Sequence, residues 1–263
     1  MLRNLNLIPL LLIPAVATGY VIHEGIIETP WSTNRLTSET LPRPEVFELR
    51  SDETGSRYRI YVQLPHDYSK EDDPYPVLYV LQTRPSNRLF DDIFAPLLRR
   101  DRMPHCVIVN VTHVELRSRS AVAAMGRHLR GEPIPSWRDD LTHPFTAFHD
   151  HTLIPRVEYS FHVGPANRTV CGVGFAGLYG VDTAFRHPGL FHRVVAIAPR
   201  ADFANYAAVN DLRQMTAAQT VDATARIYVG VGGDDYPVVI QAFEVLSDVL
   251  KQAAGPNMAV KSE

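Results

Sequence analysis

The stretch Cys171-Gly172-Val173-Gly174-Phe175-Ala176-Gly177-Leu178 has the frame of a turn that presents a catalytic nucleophile, but not the nucleophile. In the G-x-S-x-G pattern a buried strand turns sharply into a helix, and a serine is held in a strained, exposed position between small flanking residues. Here Arg168-Thr169-Val170-Cys171 supplies the strand, Gly172 and either Ala176 or Gly177 supply the small residues, and Gly174 stands where the serine would be. Glycine has no side chain with which to attack an acyl carbon. What the turn retains is its backbone. The amides of Phe175 and its successors point out of the first turn of a helix, an arrangement that attracts anions.

Other residue sets carry weaker chemistry. Cys171 could be imagined as a substitute nucleophile, but it lies three residues before the turn, inside an apolar strand where a thiol acts as a small hydrophobe. His149-Asp150-His151 suggests metal ligation, yet adjacent positions on a helix send the two rings to different faces, and no nearby set completes a site. No metal and no cofactor is expected. The run from Gly172 to Gly177 matches a dinucleotide-binding glycine pattern but lacks the early strand-helix-strand position and the ribose-binding acid. Gly230-Val231-Gly232-Gly233-Asp234-Asp235 closes a strand, and its aspartates read most simply as a turn capping a helix that starts near Pro237.

These residues need elements to position them. Residues 46–50 and 58–64 alternate as half-buried strands around the turn residues Asp52-Glu53-Thr54-Gly55, which predicts an antiparallel hairpin. Continuous apolar runs at 76–81, 106–111, 169–173, 193–198 and 225–231 read as strands covered on both faces. Helical patterns at 87–100, 145–157, 175–186 and 238–253 separate some of them, and Met258-Ala259-Val260-Lys261 begins a last strand. Strands alternating with helices after an antiparallel start predict a mostly parallel sheet, with ligands bound at the carboxyl ends of its strands. Residues 118–140 lack periodicity and read as a long excursion over that edge.

The 263 residues carry a net charge of -3, with 45% hydrophobic and 21% charged residues, an ordinary globular composition. Basic residues are scattered, which argues against nucleic acid as a partner. At the N-terminus, Arg3, the apolar run Leu7-Ile8-Pro9-Leu10-Leu11-Leu12-Ile13 and Ala15-Val16-Ala17 have the form of a signal peptide over 1–17. The run is too short for a transmembrane span, so secretion or a periplasmic location is expected; a packed N-terminal arm in a cytoplasmic protein is the alternative. An irregular leader over 18–44 then precedes the domain at 45–263.

Several segments share an order with a known family: Arg59-Ile60-Tyr61-Val62-Gln63-Leu64-Pro65, Tyr75-Pro76-Val77-Leu78-Tyr79-Val80-Leu81, Arg138-Asp139-Asp140-Leu141-Thr142 and Leu153-Ile154-Pro155-Arg156-Val157-Glu158. Asn167-Arg168-Thr169-Val170-Cys171-Gly172 leads into the turn, and His187-Pro188-Gly189-Leu190-Phe191 and Ala196-Ile197-Ala198-Pro199 follow it. From about Val46 to Phe203 the sequence thereby resembles the esterase family of α/β-hydrolases that includes esterase D and the enterochelin esterases. The resemblance implies an α/β-hydrolase fold, with a mostly parallel central sheet, an N-terminal antiparallel hairpin and helices on both faces. It also implies a serine, an acid and a histidine in that chain order.

Gly174 occupies the nucleophile position, and Asp235 aligns best with the acid, with Asp234 second. His192 is the last of 11 histidines, and the sequence ends where the family's histidine loop would come. Gln82-Thr83 stands where the family often has an Asp-Gly pair that helps form the oxyanion pocket. The expectation is an esterase relative without serine-triad hydrolysis that binds a small carboxylate or ester-like molecule around Gln82, Thr83, Gly174 and Phe175. An active ester hydrolase with atypical or trans-supplied groups and a truncated, non-functional relic are the alternatives.

Overall fold

The computed structural model describes residues 42–81, 93–100, 102–115, 143–218, 225–254 and 258–263. The expected signal segment, nearly all of the leader, the 118–140 excursion, Gln82 and Thr83 lie outside them. Eight strands form one sheet: β1 (Glu45–Arg50), β2 (Arg57–Gln63), β3 (Tyr75–Leu81), β4 (Val107–Glu115), β5 (Val163–Val173), β6 (Arg193–Ile197), β7 (Arg226–Gly230) and β8 (Ala259–Ser262). Their spatial order is β1-β2-β4-β3-β5-β6-β7-β8. β1 pairs with β2, and β2 with β4, in antiparallel fashion, whereas every pairing from β4 through β3 to β8 is parallel. The expected hairpin, parallel sheet and last strand are all present.

Alternation along the buried strands divides the core. On one face Tyr79, Val109, Val170, Val194, Ala196, Ile227 and Val229 join the main cluster. They pack against α4 (Phe175–Arg186), α5 (Phe203–Ala217) and most of α6 (Pro237–Ala253), together with α2 (His143–Phe148) and α3 (Ile154–Ser160). On the other face Leu78, Val80, Ile108 and Cys171 pack against Ala95 and its neighbours in α1 (Ala95–Arg99). Helices therefore cover both faces, as strands apolar on both sides require. No helix of the described residues is long and apolar enough to cross a membrane.

Three local features depart from the sequence reading. The helix expected over 145–157 runs from α2 to α3 through a π-helical turn, His149–Leu153. β5 starts at Val163 rather than near Thr169, because β3 pairs with it both at Tyr75↔Val163 and, after an irregularity, at Val77↔Arg168. α5 has no counterpart in the sequence reading. It buries only Phe203, Ala208, Val209 and Leu212 and opens with Ala204, Asn205 and Tyr206 in left-handed conformations, so its helical pattern is weak where it begins.

The π-helical turn places His149 in the core with no exposed surface, its ring 4.4 Å from that of Phe145 and 5.8 Å from that of Phe191. His149 Nδ1 lies 2.7 Å from the Phe145 carbonyl oxygen, while Nε2 is buried without a hydrogen-bond partner among the described residues. His151, two residues on, is exposed, so the pair does not converge on a metal.

Burial depresses the His149 pKa from 6.5 to about 4. The unfolded chain takes up this proton near pH 6.5 and the folded chain only near 4, so stability falls as the pH is lowered through that window and is unaffected above it. The full effect is roughly 3 kcal/mol. In urea denaturation at stepped pH, His149→Leu is expected to show a shallower loss of stability between pH 6.5 and 4 than the parent chain.

Candidate functional site

A single residue, Gly174, joins β5 to α4. It takes φ 64° and ψ −118°, a left-handed conformation that glycine adopts at little cost. Its N–H donates to the Ile197 carbonyl at 2.9 Å, and its own carbonyl accepts from the N–H groups of Leu178 at 3.1 Å and Arg200 at 3.2 Å. The turn is thus tied to its own helix, to the end of β6 and to the loop beyond.

The flanking small residues divide their tasks. A Cβ on Gly172 would lie 2.4 Å from the Ala176 backbone carbon and 2.5 Å from its oxygen, so Gly172 and Ala176 are the pair that lets the chain fold back on itself. A Cβ on Gly177 would lie 3.0 Å from the Gly172 oxygen and 3.3 Å from the Ala196 Cα, so Gly177 seats α4 on β6. At Gly174, apart from the adjoining Val173 and Phe175, the only atom of the described residues within 4 Å of an added Cβ is Arg200 Cγ, at 3.8 Å. Among the described residues an added Cβ meets no clash there; positive φ is the obstacle.

Arg200 and Asp202, which the sequence reading passed over, complete the surroundings of the turn. Arg200 Nε and Nη2 donate to the two Asp202 carboxylate oxygens at 2.8 Å and 2.7 Å, a paired fork. These bonds hold the Arg200 pKa above its ordinary value. The guanidinium lies over the Phe175 ring, 5.4 Å from its centroid, and Phe175 meets Phe203 edge-on at 4.8 Å. Strain lies on both sides of this pair, with Ala198 before it and Ala204, Asn205 and Tyr206 at the start of α5 all at positive φ. An Arg-x-Asp sequence just past a strand's carboxyl end was the available signal.

The pairings Val173↔Ile197 and Ile197↔Gly230 bring Gly174, the Ala198–Asp202 loop and the Gly230–Asp235 loop out of the same edge of the sheet. β7 lies two strands from β5, roughly 10 Å away. Asp235 Oδ1 accepts from the Tyr236 N–H at 3.2 Å, whereas Oδ2 is buried with no hydrogen-bond partner among the described residues. The N-cap of α6 is Tyr236, and the helix has no side-chain cap, so the capping role read from the sequence is not what Asp235 performs. Asp234 is exposed. Gln82 and Thr83 follow Leu81, the last described residue of β3, which pairs with Gly172. Cys171 is buried, and loss of solvation pushes its thiol up to about 12, which removes it as a nucleophile near neutral pH.

The family model described as "Putative esterase" matches residues 51–255. The chain belongs to this esterase family. Its fold is that of α/β-hydrolase esterases of known structure. A protein described as BES from Bacillus cereus superposes with a TM-score of 0.64 at 20% identity, over 85% of this chain and 88% of that one. The siderophore hydrolase EstB from Aspergillus nidulans gives 0.62 at 18% identity, over 85% and 88%. Ferric enterobactin esterase from Salmonella typhimurium gives 0.61 at 15%, over 84% of this chain and 53% of that chain. No curated protein sequence matches significantly.

The unequal roles of the glycines lead to a stability test in this esterase-family chain. Gly172→Ala drives a methyl into the Ala176 backbone and is expected to cost about 3 kcal/mol or more, while Gly174→Ser meets only backbone strain, of roughly 1–3 kcal/mol, and is expected to lose less. Urea denaturation of the two variants separates them; equal losses would contradict this division of tasks.

Proposed function

We propose that this chain is an esterase-family protein without hydrolysis by the serine mechanism, and that it holds a small carboxylate or ester-like molecule at the retained turn. The observation that carries the reading is Gly174 itself: it sits alone between β5 and α4 in the strained conformation that presents a nucleophile, and it has no side chain. Three features support a ligand there. The first-turn amides of α4 face outward from the turn. Apart from the adjoining Val173 and Phe175, an added Cβ at Gly174 has only Arg200 Cγ within 4 Å among the described residues. Two structural neighbours are named a siderophore hydrolase and a ferric enterobactin esterase.

A second reading rests on Asp235. Its buried Oδ2 has no hydrogen-bond partner among the described residues, so the carboxylate has an acceptor position left to orient a base. A histidine supplied by another chain would reach that carboxylate only with local opening around the buried oxygen, and the activity would then depend on association.

Hydrolysis of p-nitrophenyl acetate and butyrate discriminates between these readings. The parent chain and Gly174→Ser are both expected to match the buffer rate, because a hydroxyl without a histidine positioned to take its proton does not attack an ester. Turnover by the parent chain that is lost in Asp235→Asn contradicts the first reading and supports the second. Short-chain carboxylates are expected to raise the Tm of the parent chain saturably, as a ligand of the native state does. A Tm unchanged by every carboxylate tested would remove the binding role.

A further inference from the structure

Far from the turn, three metal-ligating side chains converge. His66 and Asp67 follow β2, and His105 precedes β4. β2 and β4 are antiparallel, with Val62 opposite Val109 and Gln63 opposite Ile108. Continued past the strand ends, that register sets His66 opposite His105, so the pairing of two core strands brings together residues 39 positions apart. Sequence spacing alone gives no sign of this.

His105 Nδ1 lies 2.9 Å from one Asp67 carboxylate oxygen, and His66 Nδ1 lies 3.7 Å from the other. The second distance is too long for a hydrogen bond. One ligand atom from each of the three residues lies within 4.8 Å of the others. The two rings stand nearly perpendicular, 5.7 Å apart.

We infer that His66, Asp67 and His105 form a surface site for a divalent transition-metal ion of the zinc type. Two imidazoles and one carboxylate are a donor set suited to Zn²⁺, Ni²⁺ or Cu²⁺. Around Zn²⁺, with metal–ligand bonds of about 2.0–2.2 Å, tetrahedral ligands sit roughly 3.4 Å apart. The contacts of 2.9 Å and 3.7 Å bracket that separation. Only modest rotation of half-exposed side chains then closes the set, and the core is undisturbed.

The backbone that carries the ligands is well anchored. His66 follows the buried Pro65, whose carbonyl accepts the Tyr68 N–H at 3.2 Å. His105 precedes Cys106, which packs in the core with Met103. On metal binding the His105 Nδ1 proton moves to Nε2 or to solvent, and the Nδ1–H···Oδ2 bond gives way to coordination from both atoms. Three protein ligands leave at least one position for water.

His105 precedes β4 whereas Gly174 follows β5, and these strands run in the same direction as β3 between them. The site therefore lies on the opposite edge of the sheet from the turn. Its effect is that of a clip joining the β2–β3 connection to the segment entering β4, and it adds stability by binding the folded state.

Zinc chloride titrated calorimetrically into the full chain tests the inference. One saturable equivalent is expected, weakened about tenfold or more in His66→Ala and in His105→Ala and unchanged in His151→Ala. Asp67→Asn, which preserves shape, covers the case in which a histidine variant fails to fold, and is expected to weaken binding similarly. Absence of saturable binding, or equal affinity in the parent chain and the His66, His105 or Asp67 variants, would overturn the site.

Discussion

The rest of the structure depends on one steric constraint: β5 becomes α4 across a single residue. Gly172 lies so close to the backbone of Ala176 that no side chain fits, and Gly174 turns the chain through positive φ while its N–H is taken by Ile197. Beyond the turn, α4 is the central helix of the molecule, with ten consecutive residues from Ala176 to Phe185 buried. A longer or looser connection would lift α4 off β5 and β6 and open the main core. The turn is therefore required by packing whether or not it presents a nucleophile. Glycine at position 174 takes this positive φ at little cost and presents no side chain there.

The two edges of the sheet have different characters. At the carboxyl edge the retained parts are backbone amides, the Arg200–Asp202 pair laid over Phe175, and an aspartate at 235 with one oxygen unpartnered among the described residues. The pairing with Asp202 fixes the Arg200 guanidinium rather than leaving it mobile, so the positive charge beside the turn has a set place. At the amino edge lies the cluster of two histidines and one aspartate, held by the register of β2 and β4. The first edge carries the turn and the second the imidazole and carboxylate groups.

The sheet was legible in the sequence because its strands are apolar on both faces, and continuous runs such as Val107–Val111 carry that signal unaided. The turn was legible because Gly172 is sterically compulsory and Gly174 is held at positive φ. The choice between Ala176 and Gly177 needed the structure, since both are small and only distances separate their contacts. α5 escaped because it buries few residues and starts with three left-handed ones, so no helical period marks its beginning. The Asp235 carboxylate read as a helix cap, yet α6 takes Tyr236 as its N-cap, a matter of one residue that propensity does not resolve. His66 and His105 were invisible as a pair because antiparallel register, not sequence spacing, unites them.

The central claim is a nucleophile-presenting turn with no nucleophile. Intact mass after incubation with an alkyl fluorophosphonate, which captures an activated hydroxyl by phosphonylation, tests it most directly. The account predicts an unmodified chain. A stoichiometric adduct mapped to a residue at the carboxyl edge of the sheet would contradict it.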